Sequence, residues 1–252
     1  MQWKTSISRA DEKETLVRGY DLMELVENLT FSQAIFLVLK GELPTNEQAR
    51  MMDAILVAPI EHGVSVPSAY SSRVSISTGQ PLNAAIAAGI LSIGEYHGGA
   101  IEQAARLYQE NSGKGGKQII EEYAKAGKRV PGYGHKIYKE SDPRAQTLFK
   151  IAREVKIFGN YCKLALDIEK EFKKTGKPLP LNIDGAIAAL ISEMGFDWRL
   201  GKAFFIIPRV VSMTAHAHEE VTKEKPFRRF EESEIVYEGP AKRELPKEYR
   251  KK

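Results

Sequence analysis

Acid–base and anion-binding side chains in this sequence lie beside segments that favour turns or helix starts. His135 follows Pro131-Gly132-Tyr133-Gly134, and Asp142-Pro143 predicts the start of a helix whose first turn carries Arg144. Glycines permit backbone conformations that other residues avoid, and they let a ligand approach the main chain closely. The stretch combines an imidazole, a permissive backbone and a cation, although taken alone it is more typical of a connecting loop with a surface histidine.

Further candidates lie at two more breaks and inside one apolar helix. His97 is part of Tyr96-His97-Gly98-Gly99-Ala100, which interrupts an apolar segment, and Asp184 precedes Gly185 at the head of a predicted helix. A carboxylate there meets the positive end of the helix dipole, although an N-cap is the commoner role. Arg209 falls within the apolar helix predicted over 201–217, where a buried cation needs a partner or a ligand.

Composition and charge favour a globular protein that handles small anions. The 252 residues suit one large domain or two unequal ones, with 42% apolar and 28% charged residues. A net charge of +4, with basic and acidic residues interspersed, does not predict a nucleic-acid partner. The single cysteine, Cys162, excludes an internal disulfide and a cysteine-based zinc site. No signal peptide is visible and the apolar run 84–93 is too short to cross a bilayer, so we expect a cytoplasmic protein without membrane or metal.

Hydrophobic periodicity predicts helices along nearly the whole chain. No window alternates as a strand does, so the expected fold is all-α, with residues 1–20 forming polar turns. The segment 81–96 is apolar all round, which predicts a helix buried in the core or in a subunit interface. His62, which precedes a glycine, is expected to cap a helix end. Residues 222–252 predict an ordered arm followed by a frayed end.

The order and spacing of five motifs resemble the citrate synthase superfamily, which includes citryl-CoA lyases and the C-terminal part of ATP-citrate lyase. The segments 62–100 and 225–237 look closest to ATP-citrate lyase, and the short length fits a stand-alone citryl-CoA lyase. The resemblance covers nearly the whole chain and is carried by Arg18-Gly19-Tyr20-Asp21, His97-Gly98-Gly99-Ala100, Pro131–His135 with Asp142-Pro143-Arg144, Asn182-Ile183-Asp184-Gly185, and Arg209.

The resemblance implies a helical homodimer with a cleft between two domains. A large domain would comprise residues 1–100 plus 204–252, and a small domain would comprise residues 101–203. The implied reaction is reversible cleavage of citryl-CoA to acetyl-CoA and oxaloacetate through an enol, without a permanently bound cofactor. A citrate or alkylcitrate synthase that also hydrolyses the thioester is the first alternative. A non-catalytic relative that binds CoA or a partner is the second, and a separate citryl-CoA synthetase could supply the substrate.

The resemblance also implies a role for each candidate residue. Asp184 would move the proton of the acyl methyl group, His97 would hydrogen-bond the thioester oxygen, and His135 would exchange a proton with the ketone or hydroxyl oxygen. Arg144 and Arg209 would bind carboxylates, and Arg229 or its neighbour Arg228 would bind the substrate of the partner subunit. The backbone of Gly132, Tyr133 and Gly134 would approach the CoA adenine. Tyr70, which stands where the family has a histidine, would bind the dicarboxylate.

Overall fold

The computed structural model describes residues 2–135, 138–176 and 178–251, and these ranges are mostly helical. No helix in them is long and apolar enough to cross a lipid bilayer. The predicted all-α architecture is confirmed, apart from one small sheet. The helices are α1 (Leu22–Asn28), α2 (Phe31–Lys40), α3 (Asn46–Val57), α4 (Pro67–Ser77), α5 (Leu82–Leu91), α6 (Ala100–Glu110), α7 (Gly116–Lys125), α8 (Pro143–Glu154), α9 (Asn160–Lys174), α10 (Ile183–Glu193) and α11 (Ala203–Lys223).

The sheet is an antiparallel meander near the N-terminus, where only polar turns were predicted. It contains β1 (Ser8–Ala10), β2 (Thr15–Val17) and β3 (Tyr20–Asp21), in that order. Strands of two or three residues are too short to show the alternation that identifies a strand in a sequence. Arg18 connects the meander to the helical body, because its Nε and Nη2 donate to the carbonyl of Val38 at 3.1 and 2.7 Å.

Helix α10 is the centre of the largest apolar core. Apart from Asp184 and Glu193, its residues are buried, and α6, α8 and α9 pack around it. A helix that is apolar on all sides is stable only when it is surrounded in this way. The same core extends to α2 and α11 through Phe196, whose ring makes edge-to-face contacts with Phe36 and Phe204 at centroid distances of 5.0 and 5.1 Å. The division into a large and a small domain stays a prediction.

Helices α4, α5 and α11 form a second packed group. A Cβ at Gly89 of α5 would lie 2.2 Å from Ser72 Oγ and 2.8 Å from the carbonyl of Ser68, so α5 approaches α4 closely. The opposite face of α5, which carries Asn83, Ala87 and Leu91, is open, and Leu91 is 86% exposed. Burial of this helix in the core was therefore wrong for one face, whereas burial in a subunit interface stays a prediction.

The C-terminal arm begins where α11 ends and contributes nothing to the core. Residues 229–251 are all exposed and contain two short 3₁₀ turns, Glu232–Glu234 and Lys247–Tyr249. Several apolar side chains are among them, including Val236 at 80% and Tyr237 at 76% exposure. At its root Arg228 is half-buried, and the order of the arm and the fraying of its end stay predictions.

Candidate active site

One cleft collects the acid–base and arginine residues that the sequence separates by more than a hundred positions. Its walls come from the loop before α4, the loop between α5 and α6, the loop before α8, the start of α10 and the first turns of α11. The structure therefore brings together every catalytic candidate and both buried-arginine candidates of the sequence. The histidines and charged residues that line the cleft are His62, His97, His135, Arg144, Asp184 and Arg209.

His97 is held by a glycine turn that packs against α11. Gly98 has a φ of +83°, and a Cβ there would lie 2.5 Å from the ring of Phe205, so only glycine fits. The His97 ring meets the same phenyl ring edge-on at a centroid distance of 5.2 Å. Because no side chain separates the Gly98 turn from α11, their close contact sets the position of the His97 imidazole.

Ser68 at the start of α4 fixes the tautomer of His97. Its backbone N–H, which can only donate, lies 3.4 Å from His97 Nε2, and its Oγ lies 2.9 Å from the same nitrogen. Nε2 is therefore an acceptor, and the neutral ring carries its proton on Nδ1. Burial, together with the positive charge of Arg209, lowers the pKa of His97. The neutral ring can therefore offer Nδ1–H to a ligand oxygen.

The glycine loop before His135 packs directly on the first turn of α10. Gly132 has a φ of +85°, and a Cβ there would lie 2.7 Å from the Cα of Gly185, so both positions need glycine. Two hydrogen bonds close the contact: Asn182 N donates to Gly132 O at 3.0 Å, and Asn182 Nδ2 donates to Gly134 O at 2.9 Å. This packing places His135 beside Asp184, which lies two residues after Asn182 in the first turn of α10.

Two donors face the ring nitrogens of His135. The backbone N–H of Tyr138 donates to Nδ1 at 3.2 Å, so the neutral ring carries its proton on Nε2. Arg144 Nη2 lies 3.3 Å from that Nε2. Two N–H donors cannot hydrogen-bond to each other, but one ligand oxygen can accept from both. Burial, together with the charge of Arg144, lowers the pKa of His135 and keeps the ring neutral.

Asp142 connects Arg144 to α10. Its carboxylate is 1% exposed, accepts from Arg144 N and Nε at 3.0 Å and from Arg144 Nη2 at 2.7 Å, and also accepts from Ile183 N at 3.0 Å. Burial acts to raise the pKa of Asp142, but the hydrogen bonds and charge of Arg144 outweigh it, and the pKa lies below its usual value. The predicted helix start at Asp142-Pro143 is confirmed, and the N-cap also orients the guanidinium.

Asp184 lies in the first turn of α10 without serving as its cap. The N-cap is Asn182, whose Oδ1 accepts from the backbone N–H groups of Asp184 and Gly185 at 3.0 and 3.1 Å. The Asp184 carboxylate makes no hydrogen bond to any residue in the described ranges and is available to the cleft. Its pKa is raised to about 6, chiefly by burial, against the opposing charges of Arg144 and Arg209. A carboxyl group with this pKa can both take and return a proton near neutral pH.

Arg209 is a buried cation with unused hydrogen-bonding capacity. It is 4% exposed on α11, its guanidinium lies 4.7 Å from the ring centroid of Phe205, and its Nε has no partner among the described residues. Burial lowers its pKa, while the negative charges of Glu61 and Asp184 oppose that shift. A buried guanidinium of this kind is suited to a planar carboxylate ligand.

His62 lines the cleft, whereas Tyr70 does not. His62 lies in the loop between α3 and α4, and its ring centroid is 6.3 Å from that of His135. Its pKa is lowered by burial and by the charges of Arg144 and Arg209. Tyr70 is 41% exposed on α4, outside the cleft lining. His62, predicted as a helix cap, therefore lines the cleft, whereas dicarboxylate binding by Tyr70 stays a prediction.

A simple signal in the sequence separates the cleft histidines from the others. Of the five histidines, three adjoin a glycine with a φ of +84°, +83° and +83°, namely Gly63, Gly98 and Gly134. These three are the ones that line the cleft. His216 and His218 lie inside α11, and His216 is paired with Glu61 at 3.2 Å.

The residues predicted to approach CoA have structural partners in this chain. The phenol oxygen of Tyr133 lies 3.0 Å from Tyr108 Oη and donates to the carbonyl of Ala165 at 2.9 Å, inside the protein. Gly134 N donates to the carbonyl of Pro180 at 2.8 Å. These bonds hold the loop that presents His135. A contact between the backbone of Gly132, Tyr133 and Gly134 and a CoA adenine stays a prediction.

Arg229 is not part of the cleft of its own chain. It lies in the exposed arm, with its guanidinium 5.9 Å from the ring centroid of Phe227. The neighbouring Arg228 instead points back to the helical body and forms an ion pair with Glu220 at 2.7 Å. Of the two arginines considered for a partner's active site, only Arg229 is left without an ion pair in the described part of the chain.

Comparison with known proteins agrees with this cleft. The family profile described as citrate synthase, C-terminal domain, matches residues 45–229. Because this match covers most of the chain, the chain belongs to the citrate synthase family. The structure of citryl-CoA lyase from Hydrogenobacter thermophilus is 50% identical, with a TM-score of 0.94, and the alignment covers 98% of each chain.

More distant relatives are larger proteins. ATP citrate lyase from Methanothrix soehngenii, solved with citrate and coenzyme A, is 25% identical with a TM-score of 0.82, covering 96% of this chain and 42% of that one. The probable ATP-citrate synthase of Caenorhabditis elegans is 32% identical over 152 residues, 58% of this chain and 14% of that protein. The citrate synthase of Haloferax volcanii is 29% identical over 213 residues, 81% of this chain and 55% of that protein. The chain thus spans less than two thirds of these two curated relatives.

Proposed function

We propose that this protein is a citryl-CoA lyase that reversibly cleaves citryl-CoA to acetyl-CoA and oxaloacetate. The observation that carries the proposal is the cleft in which Asp184, with a pKa of about 6, faces two neutral histidines and two arginines. This set matches the needs of the reaction: a base for a weakly acidic methyl group, donors for two oxygens that gain charge, and cations for carboxylates. The likeness to the Hydrogenobacter thermophilus enzyme along its whole length supports a lyase over the larger synthases.

The condensing direction shows what each residue contributes. The Asp184 carboxylate removes a methyl proton from acetyl-CoA while His97 Nδ1–H donates to the thioester oxygen, which stabilises the enol. The enol carbon attacks the ketone carbon of oxaloacetate. The ketone oxygen becomes an alkoxide between His135 Nε2–H and Arg144 Nη2, which lie 3.3 Å apart. It takes its proton through His135.

Cleavage runs through the same steps in reverse. The hydroxyl oxygen of citryl-CoA gives up its proton through His135, the carbon–carbon bond breaks, and the electron pair moves to the thioester enol. Asp184 then returns a proton to the methylene carbon, which becomes the methyl group of acetyl-CoA. One proton leaves oxygen and one joins carbon, so no cofactor is needed and the CoA thioester is the substrate. His62, Arg144 and Arg209 bind the carboxylates of the oxaloacetate part.

We further infer that the cleft is completed in a homodimer. The open apolar face of α5 and the exposed arm, with Arg229 near its root, are surfaces that a second copy can cover. In this arrangement Arg229 binds a substrate carboxylate in the partner's cleft. The proposed setting is the cytoplasm, with citryl-CoA supplied by a separate citryl-CoA synthetase.

Product analysis tests the proposal. Purified protein is incubated with citryl-CoA, and separately with acetyl-CoA and oxaloacetate, and the products are identified by mass spectrometry. Acetyl-CoA and oxaloacetate formed from citryl-CoA, with little free CoA, are the expected result. Free CoA and citrate as the main products would instead identify a synthase, and no turnover in either direction would contradict catalysis of this class.

A further inference from the structure

A buried cluster of charges anchors the arm where it leaves α11. Glu220 is 2% exposed, and its Oε2 accepts from Arg73 Nε at 2.6 Å and from Arg228 Nη2 at 2.7 Å. Its Oε1 accepts from Arg228 Nε at 2.8 Å. The backbone N–H of Arg228 donates to Ser77 Oγ at 3.1 Å. We refer to Arg73, Ser77, Glu220 and Arg228 together as the Glu220 clasp, which connects α4, α11 and the arm.

The clasp is a well-matched set of charges. A buried carboxylate is tolerated only when donors satisfy its oxygens, and here both oxygens are satisfied. Burial acts to raise the pKa of Glu220, but the hydrogen bonds from Arg228 and Arg73 outweigh it and hold the pKa below its usual value. Because Arg228 binds through two nitrogens, both the position and the orientation of its guanidinium are fixed.

The clasp ends one residue before Arg229. Consecutive Cα atoms are about 3.8 Å apart, so fixing Arg228 confines the backbone of Arg229 to a small volume. Arg229 itself forms no ion pair or hydrogen bond with the described residues, and it is exposed. The clasp is thus placed directly beside an arginine whose guanidinium, within the described residues, has the Phe227 ring as its recorded contact.

We propose that the Glu220 clasp is a positioning device that aims Arg229 into the cleft of the partner subunit. The proposal rests on the proposed function, in which Arg229 binds a substrate carboxylate across the dimer. Glu220, Arg73 and Arg228 touch no substrate and act only through Arg229. Precise placement matters because a displacement of about 1 Å can cost about a hundredfold in rate.

Mixed dimers can separate this positioning from a general structural role. Two tagged chains are co-expressed, one carrying Asp184→Asn and the other Arg229→Ala, and the mixed dimer is purified through both tags. Its one competent cleft belongs to the Arg229→Ala chain and receives the arm of the Asp184→Asn chain. Glu220→Gln is then added to the arm-donating chain or, as the matched control, to the cleft-bearing chain.

The two placements are expected to differ. On the arm-donating chain, Glu220→Gln should lower kcat/KM for citryl-CoA by about tenfold or more, mainly through KM, and on the cleft-bearing chain by less than about twofold. Equal losses from the two placements would overturn the proposal. The dimer without Glu220→Gln must recover activity over either single-variant homodimer; if it does not while the wild type cleaves citryl-CoA, the proposal is also wrong.

Folding controls keep the test decisive. Glu220→Gln removes the carboxylate shared by Arg73 and Arg228 and leaves them only the more exposed carboxylates of Glu219 and Glu224, so thermal unfolding and sedimentation are measured for each mixed dimer. Ser77→Ala removes the acceptor for the Arg228 N–H and a hydrogen bond to the carbonyl of Val74 within α4, but no charge. It is the milder second variant and should show the same asymmetry with a smaller loss. An absence of asymmetry in both variants would contradict the proposal. A wild-type protein without citryl-CoA cleavage would instead contradict the proposed function itself.

Discussion

The cleft and the C-terminal arm place their arginines in opposite surroundings. In the cleft, Arg144 is held by Asp142 with bonds of 2.7 and 3.0 Å, and Arg209 is 4% exposed. In the arm, Arg229 is exposed and pairs with no described residue. The cleft contains, within one chain, the groups proposed for proton transfer, whereas the role proposed for Arg229 in the arm requires a second copy of the chain.

The difference indicates which parts of the proposed reaction depend on one chain and which on a second copy. The acid–base residues depend on contacts inside the chain: the glycine loops, the cap of α10 and the Ser68 bond to His97. The arm depends on one anchor at its root, and its apolar side chains, such as Tyr237 at 76% exposure, lie in the open. Variants in the two regions should therefore fail in different ways.

Replacing Asp184 should have the largest effect. Asp184→Asn is expected to lower kcat for citryl-CoA cleavage by about 10²–10⁴-fold, because the proton carrier is lost while the cap residue Asn182 stays in place. Asp53→Asn, on the exposed face of α3, is the matched control and should keep wild-type kcat. A kcat within a few-fold of wild type for Asp184→Asn would contradict the assignment of the proton carrier.

Replacing Arg229 should have the next largest effect. Arg229→Ala is expected to lower kcat/KM by about 10–100-fold, since a charge-assisted bond to a carboxylate contributes about 1.5–3 kcal/mol. Arg243→Ala, another exposed arginine of the arm, should change kcat/KM by less than about twofold. Equal effects of the two substitutions would remove the special role of Arg229 and with it the contrast between cleft and arm.

His62 and Tyr70 provide a test inside the comparison. His62→Ala is expected to raise KM for citryl-CoA about tenfold, because the side chain lines the cleft beside His135. Tyr70→Phe, outside the cleft lining, should change KM by less than about twofold. Steady-state kinetics over a range of citryl-CoA concentrations measures both. A larger increase in KM for Tyr70→Phe than for His62→Ala would instead identify Tyr70 as the substrate-binding residue.

The last prediction concerns the free energy of unfolding, which Asp184→Asn should raise although it lowers activity. Because the pKa of Asp184 rises from 3.8 to about 6 on folding, its stabilising effect is present below pH 3.8 and is lost as pH rises through 6. Asp184→Asn should therefore raise the free energy of unfolding by up to about 3 kcal/mol at pH 8. The gain should disappear towards pH 3.8. Denaturant titrations at several pH values check this, and a loss of stability at pH 8 would show that the carboxylate stabilises the fold.

Much of the cleft could be predicted because its chemistry lies at breaks in helical periodicity. His97, His135, Asp184, Arg144 and Arg209 were all found at such breaks or inside an apolar helix, and the structure brings them together. The glycines that position them are visible in the sequence as Gly-rich loops, although their contact partners, Phe205 for Gly98 and Gly185 for Gly132, lie far away along the chain.

The remaining features depend on contacts that a linear pattern does not contain. His62 was missed because a His-Gly pair after a helix also fits a cap, and only the packing of its loop against His135 places it in the cleft. A cap role for Asp184 was open until the hydrogen bonds identified Asn182, which had not been considered, as the N-cap of α10. The burial of α5 was overestimated because an apolar helix looks the same whether its second face meets its own core or another subunit.

The central claim is that proton transfer belongs to the cleft of one chain, whereas substrate binding needs the arm of another. Exchange of the methyl protons of acetyl-CoA into D₂O, followed by mass spectrometry without oxaloacetate, tests it most directly. Wild type and Arg229→Ala should both incorporate deuterium, and Asp184→Asn should not. Exchange at the wild-type rate in Asp184→Asn, or its loss in Arg229→Ala, would contradict the claim.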